Sequence, residues 1–221
     1  MEQSATDLVM KFSLNGQAVW AESMLDVPPS DRLMKDFRPA ADAKKYSNFF
    51  EVSSFDMGLA LKEADNPVAN GKEAAPAKKT AFARWRSAAP NEYKSIFYPL
   101  EFESFSFSRI VDAASPIFFQ ACCTSQSFDS AVLVKRLSQG GGKDRPTMAY
   151  LRIEFTKVLI TGLSWDDGEL VKEKCDFICQ GMKLTYKQQG ADGLIGTSST
   201  EATWPNPKND RSLGIRSGGT G

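Results

Sequence analysis

Apolar and polar residues alternate one for one through much of this chain, and the alternating runs end on residues that turn a backbone. Leu8, Met10, Phe12 and Leu14 are spaced by two, and Asn15-Gly16 then leads into Gln17-Ala18-Val19-Trp20. Period two places such side chains on one face of a strand, and Asn-Gly suits the positive-φ positions of a tight hairpin turn. Within Tyr93 to Val111, Phe105 and Phe107 oppose Ser104, Ser106 and Ser108. Ala131 to Leu137 and Ala149 to Ile160 read as two strands joined through Gly140-Gly141-Gly142-Lys143-Asp144-Arg145-Pro146, a stretch built of turn formers. After a turn at Asp166-Asp167-Gly168, Cys175, Phe177 and Cys179 share one face of a strand running to Tyr186. Asn48 to Leu61 also alternates but changes face between Val52 and Phe55, which implies a bulge at Ser53-Ser54. This many strands with turn signals between them, and a single helix, define an all-β fold, a barrel or sandwich of two packed sheets.

The helix is the exception to the pattern. It starts at Asp112-Ala113-Ala114-Ser115-Pro116 and continues as Ile117-Phe118-Phe119-Gln120-Ala121-Cys122-Cys123. Ser115 is expected to cap the free amides, Pro116 suits the first helical position, and Asp112 adds negative charge near the positive end. Only Gln120 is polar in the body, and a helix that is apolar all round needs cover all round. One sheet covers one flank. The other flank must meet a second layer of this chain or another subunit.

Elsewhere the core pattern lapses. Residues 23 to 46 contain Val27-Pro28-Pro29-Ser30-Asp31 and read as a loop with one helical turn near Arg32 to Asp36. From Lys62 to Pro90 the composition shifts to Ala, Lys, Glu and Pro, and after Trp204 the chain turns polar and Gly-rich. The expected organisation is one domain over 1–204 with a long insertion at 62–92, followed by a flexible polar tail at 205–221.

The 221 residues are 42% hydrophobic and 24% charged, an ordinary globular balance with no apolar run long enough to span a membrane. The start, MEQSATDLVMKF, has no basic leader followed by an apolar run, so export is expected to need no signal peptide. Lys+Arg and Asp+Glu both number 27 without a concentrated basic block, which argues against nucleic acid and leans toward self-association.

Histidine is absent, which removes Ser-His-Asp and Cys-His relays and His-ligated metals. Cys122, Cys123, Cys175 and Cys179 form an adjacent pair and a C-x-x-x-C rather than the spacing of a zinc site, and read as small buried apolar residues. Gly140 to Asp144 lacks the Ser or Thr and the helix of a phosphate loop, and Gly162-Leu163-Ser164-Trp165-Asp166 lacks the final Gly of a nucleophile elbow. The adjacent Asp166 and Asp167 read as solvated turn residues. No catalytic, metal or cofactor site is expected. Lys78, Lys79, Arg84 and Arg86 surround Phe82 and Trp85, a charged segment suited to gripping a neighbouring protein through two aromatic anchors.

The order of these segments resembles the haemolysin-coregulated protein (Hcp) family, the tube subunits of the type VI secretion system. Leu8 to Leu14 is similar to its opening strand, and Phe50 to Gly58 (FEVSSFDMG) resembles its W-I-x-V-x-S-F-x-x-G strand. Asp112 to Cys122 resembles its D-x-x-S-P-x-L-F-x-A-C helix. Tyr150 to Ile160 and Gln180 to Tyr186 are similar to later strands, with Asp192-Gly193 after the last. The likeness runs from about residue 7 to 195 and departs at 23–46, at 62–92 and in the tail.

The resemblance implies an Hcp-like, tail-tube-like β-barrel flanked by one short helix, no enzymatic activity and no cofactor. It implies rings of six copies stacked head to tail as a hollow tube, driven out of a bacterial cytoplasm by a contractile sheath together with spike and effector proteins. Ser115, Ile117, Phe118, Phe119 and Gln120 on the helix are then expected at the contact between subunits. Phe82, Arg84 and Trp85 in the long segment are expected to stack the rings. Rival readings are a phage-type tail tube, a monomeric barrel holding a small apolar ligand, and a hydrolase using carboxylates or lysine.

Overall fold

A computed structural model describes residues 7–40, 46–61, 100–102, 105–138, 147–190, 194–205 and 216–217. The segment with Phe82, Arg84 and Trp85, the turn at 140–146 and Asp192-Gly193 lie outside the described residues. In chain order the strands are β1 (Leu8–Leu14), β2 (Gln17–Ala18), β3 (Phe50–Glu51), β4 (Ser54–Asp56), β5 (Leu59–Leu61), β6 (Leu100–Phe102) and β7 (Phe105–Ile110). The helix α1 (Ser115–Thr124) follows, then β8 (Phe128–Ser138), β9 (Thr147–Asp166), β10 (Lys172–Gln189), β11 (Ile195–Pro205) and β12 (Arg216–Ser217). The chain divides into two compact units, Met57–Ser104 and the remainder. In the smaller unit β5 and β6 pair antiparallel, with Ala60 opposite Glu101.

The larger unit is one antiparallel sheet in the order β12-β11-β10-β9-β8-β1-β2, with β3 beside β1, β4 beside β7 and β7 beside β10. Asn15 (φ 53°) and Gly16 (φ 74°) make the expected tight turn between β1 and β2. The all-β fold with one short helix is therefore present, but the sheet is curled rather than closed. Phe50 to Asp56 changes partner midway: the Val52 N–H bonds to the Leu8 carbonyl at 2.9 Å and the Ser53 N–H to the Ser108 carbonyl at 2.8 Å. The change of face at Val52 and Phe55 is the sequence cause of this break, which falls at Val52-Ser53, just ahead of the expected bulge.

Curling brings phenylalanines from separate strands together. Phe12 of β1 lies 5.8 Å from Phe107, 5.0 Å from Phe128 and 4.9 Å from Phe118 of α1, ring centre to ring centre. Phe105, Phe155 and Phe177 extend the same cluster with spacings of 5.2 to 5.4 Å. Edge-to-face and tilted pairs at these separations are favourable beyond the area they bury.

The other face of β1 and β8 is covered by the Pro-rich loop, whose Leu33, Met34 and Phe37 pack with Phe49 on Val9, Val132 and Val134. Its helical turn is a 3-10 turn at Arg32–Met34. Asp31 caps it, accepting the Leu33 N–H at 3.0 Å through one oxygen and the Ala149 N–H at 2.7 Å through the other. Asp36 then clamps the loop to the sheet by pairing with Arg152 at 2.7 Å and with Lys11. Partial burial pushes the Asp36 carboxyl up, but hydrogen bonds and positive charge from Arg152 and Lys11 outweigh it and hold the pKa at about 2. A depressed carboxylate pKa stabilises the fold above the unfolded value and loses that contribution as pH falls toward the folded one. Denaturant midpoints of the wild type and Asp36→Asn are therefore expected to differ at neutral pH and to converge as pH drops from about 4 to 2.

Candidate functional site

The helix docks through one stripe. Ser115, Phe118 and Ala121 are buried, a three-residue spacing that turns one side of α1 to the sheet. Ile117 is half-buried, while Phe119 and Gln120 are exposed. Of the five helix residues expected at a subunit contact, Ser115 and Phe118 are thus committed to their own chain and Phe119 and Gln120 are open. The C-terminal end is a Schellman turn with Ser125 at φ 53°, whose N–H meets the Cys122 carbonyl while the Gln126 N–H meets that of Ala121.

Ser115 does not cap the helix as expected. Ala114 occupies the capping position without a side-chain bond, and the Ser115 hydroxyl instead accepts the Asp112 N–H at 3.2 Å and an Arg109 N–H at 2.8 Å. The competing partner is Arg109. On β7 it follows Phe105 and Phe107 in phase, so its side chain points inward and is 1% exposed. The guanidinium lies 4.3 Å from the ring centre of Phe50 and 4.9 Å from that of Phe118. It donates to Glu173 at 2.8 Å and to Asp112 at 2.6 Å. Asp112 also takes the Ala114 N–H at 2.8 Å, which sets the chain's entry into the helix.

Strand register builds the rest. Glu173 of β10 stands opposite Arg109 of β7 on one side and opposite Trp165 of β9 on the other. Side chains in one such row share a face. Glu173 is fully buried and spends both oxygens there, one on Arg109 and the other on the Trp165 indole N–H at 3.0 Å. Trp165 in turn stacks on Phe119 at 5.9 Å with 26° between the planes, and the two side chains are 54% and 50% exposed. In the adjacent row, which faces the other side of the sheet, Ile110 is also exposed, and Val111, Leu170 and Val171 beyond the strand ends are exposed too, with the Val111 N–H bonded to the Val171 carbonyl. The result is an exposed aromatic pair bridging α1 and the end of β9, pinned from beneath by a buried ionic cluster. Apolar surface gathered in this way marks an interaction site.

Cys175 and Cys179 are buried as expected, but Cys122 is only half-buried and Cys123 is exposed on the outer side of α1. Burial, reinforced by the charge of Glu173, pushes the Cys175 thiol well up, and burial raises Cys179 to about 11. Both are protonated at neutral pH and carry no thiolate nucleophile. Asp166 at the end of β9 and Asp167 in the turn are both exposed. Arg109 and Glu173, which organise the site, are the residues that sequence reasoning missed. The signal was a charge at a position in phase with a core-facing row.

A family model described as "Type VI secretion system effector, Hcp" matches residues 40–189, more than half of the chain. No curated relative matches the sequence. Among solved structures, a type six secretion system protein superposes with a TM-score of 0.59 at 16% identity, covering 91% of this chain and 96% of its own. A mutant form of the Hcp1 protein from E. coli superposes with a TM-score of 0.53 at 14% identity, covering 90% and 99%. A type VI secretion system effector from Yersinia pestis gives 0.50 at 17% identity, covering 90% and 100%. At these identities the superpositions speak for the fold, which is the curled sheet and flanking helix described above. With the family model matched across that same fold, the chain belongs to the Hcp family of the type VI secretion system.

Proposed function

We propose that this chain is a structural subunit of the inner tube of a type VI secretion system. Six copies form a ring, rings stack head to tail into a hollow tube, and the tube carries effectors when a contractile sheath and a spike drive it out of the bacterial cytoplasm. The observation that carries this reading is the exposed, stacked pair of Phe119 and Trp165 on a member of the Hcp family. Within a ring each subunit sets one surface against a different surface of the next, and the contact closes when its rotation divides the circle. Between rings the same head-to-tail logic stays open and grows a filament. Phe82, Arg84 and Trp85 are the candidates for that second contact. The phenylalanine cluster fills the interior that a small apolar guest would need, which favours the tube over a ligand-binding barrel.

Phe119→Asp tests the ring contact, because it adds a charge to an exposed position and leaves the buried stripe alone. The variant is expected to melt within a few degrees of the wild type yet stay a single subunit, while the wild type forms rings in negative-stain images. Rings of unchanged yield from the variant would remove the helix from the contact.

A further inference from the structure

We infer that Glu173 is a positioning residue of the assembly surface: it fixes the exposed Trp165–Phe119 pair as a rigid anchor for a second copy of this chain. The inference rests on the tube-subunit reading and adds to it the residue that prepares the contact.

An exposed tryptophan ordinarily samples several rotamers, and ordering it on binding costs affinity. Here the indole is held at two points, its N–H by the fully buried Glu173 carboxylate at 3.0 Å and its ring by Phe119 at 5.9 Å. The ordering is completed when the chain folds, so a neighbour meets a preorganised aromatic. Buried aromatic anchors of this kind dominate protein contacts. Glu173 also ties the pair to the helix, because its other oxygen holds Arg109, which in turn holds Ser115 and Asp112. Trp165 on the sheet and Phe119 on α1 therefore present one surface rather than two independent ones.

Only a carboxylate fits this role. Two donors, the Arg109 Nε–H and the Trp165 Nε1–H, face the two oxygens. Glutamine can accept from one of them and must turn its own NH2 toward the other. Arg109 would keep Asp112 as its counter-charge in Glu173→Gln, so the fold has a route to survive.

Charge argues for a second copy as the occupant. Residues 166 to 172 beside the anchor carry Asp166, Asp167 and Glu169 against Lys172 alone, whereas the whole chain balances 27 positive with 27 negative groups. The remainder of the chain therefore carries 26 positive against 24 negative groups, and a head-to-tail contact between copies is the arrangement that sets a different surface of the chain against this acidic rim.

The test compares the full-length wild type, Glu173→Gln, Trp165→Phe and the double variant. Ring formation is followed by sedimentation over a range of concentrations, and thermal unfolding is measured separately. Each single change is expected to raise the half-assembly concentration at least about tenfold, and the double to lie within about twofold of the weaker single, because both act through one hydrogen bond. If Glu173→Gln weakens assembly as much in the Trp165→Phe background as in the wild type, Glu173 acts through general stability and the positioning role is overturned. If Trp165→Phe assembles like the wild type, the pair is no anchor for a second copy, and another protein is its occupant. Should Glu173→Gln fail to fold, Glu173→Asp takes its place in the same comparison, since it keeps the counter-charge of Arg109 and draws the second oxygen back from the Trp165 N–H. A wild type that forms no rings overturns the tube reading and this inference together, an outcome distinct from the others.

Discussion

Phe118→Ala is expected to destabilise the fold by about 3–5 kcal/mol, read as a lower denaturant midpoint at unchanged slope. The ring is buried at the join of helix and sheet, with Phe12, Phe50, Phe107 and Phe128 at 4.9 to 6.0 Å and the Arg109 guanidinium over its face. Truncation leaves a cavity among side chains that come from four different strands and cannot all move inward together. It also removes one of the two rings beneath a buried cation. Phe118→Asp adds an unpaired charge to the same place and is expected to yield no folded protein at all. The neighbouring Phe119→Asp is expected to leave the fold intact, so a pair of adjacent phenylalanines should separate folding from assembly. A Phe118→Ala variant as stable as the wild type would mean that α1 does not pack as described.

Arg109→Ala is expected to cost a similar amount, about 3–5 kcal/mol, for a different reason. The side chain is the counter-charge of a carboxylate with no access to water, and removing it strands Glu173 in the interior. Ser115 and Asp112 lose a partner as well, which loosens the start of the helix. A buried ion pair is held in place more by the cost of breaking it than by its net worth, so replacing both members by apolar groups can be far less harmful than removing one. The double variant Arg109→Met with Glu173→Leu is accordingly expected to recover most of the stability lost in Arg109→Ala. Equal losses in the single and double variants would show that the packing of the guanidinium on Phe50 and Phe118, rather than its charge, is what matters.

The strand faces were legible because burial follows period two wherever one side of a strand meets the core, as it does at Phe105 and Phe107 and at Cys175, Phe177 and Cys179. The helix was legible for the opposite reason, an apolar run opened by Ser-Pro. Its capping was misread because Ser115 and Asp112 are drawn to Arg109, a residue whose direction only the fold reveals. Arg109 and Glu173 each continue an inward-facing row, and such a charge signals a buried partner without naming it. The pairing depends on the register of β7 with β10, which no local pattern carries. Trp165 was hidden further still, because the end of β9 runs past the core to residues that no longer alternate. The break at Val52-Ser53 was legible as a change of face, whereas curling without closure was not.

Copies of this chain are expected to meet through the surface around α1. Sedimentation velocity of the purified wild type across a wide concentration range tests it most directly. The expected result is a species of six chain masses that gives way to single subunits on dilution and is lost in Phe119→Asp. A single-subunit boundary at every concentration would contradict it.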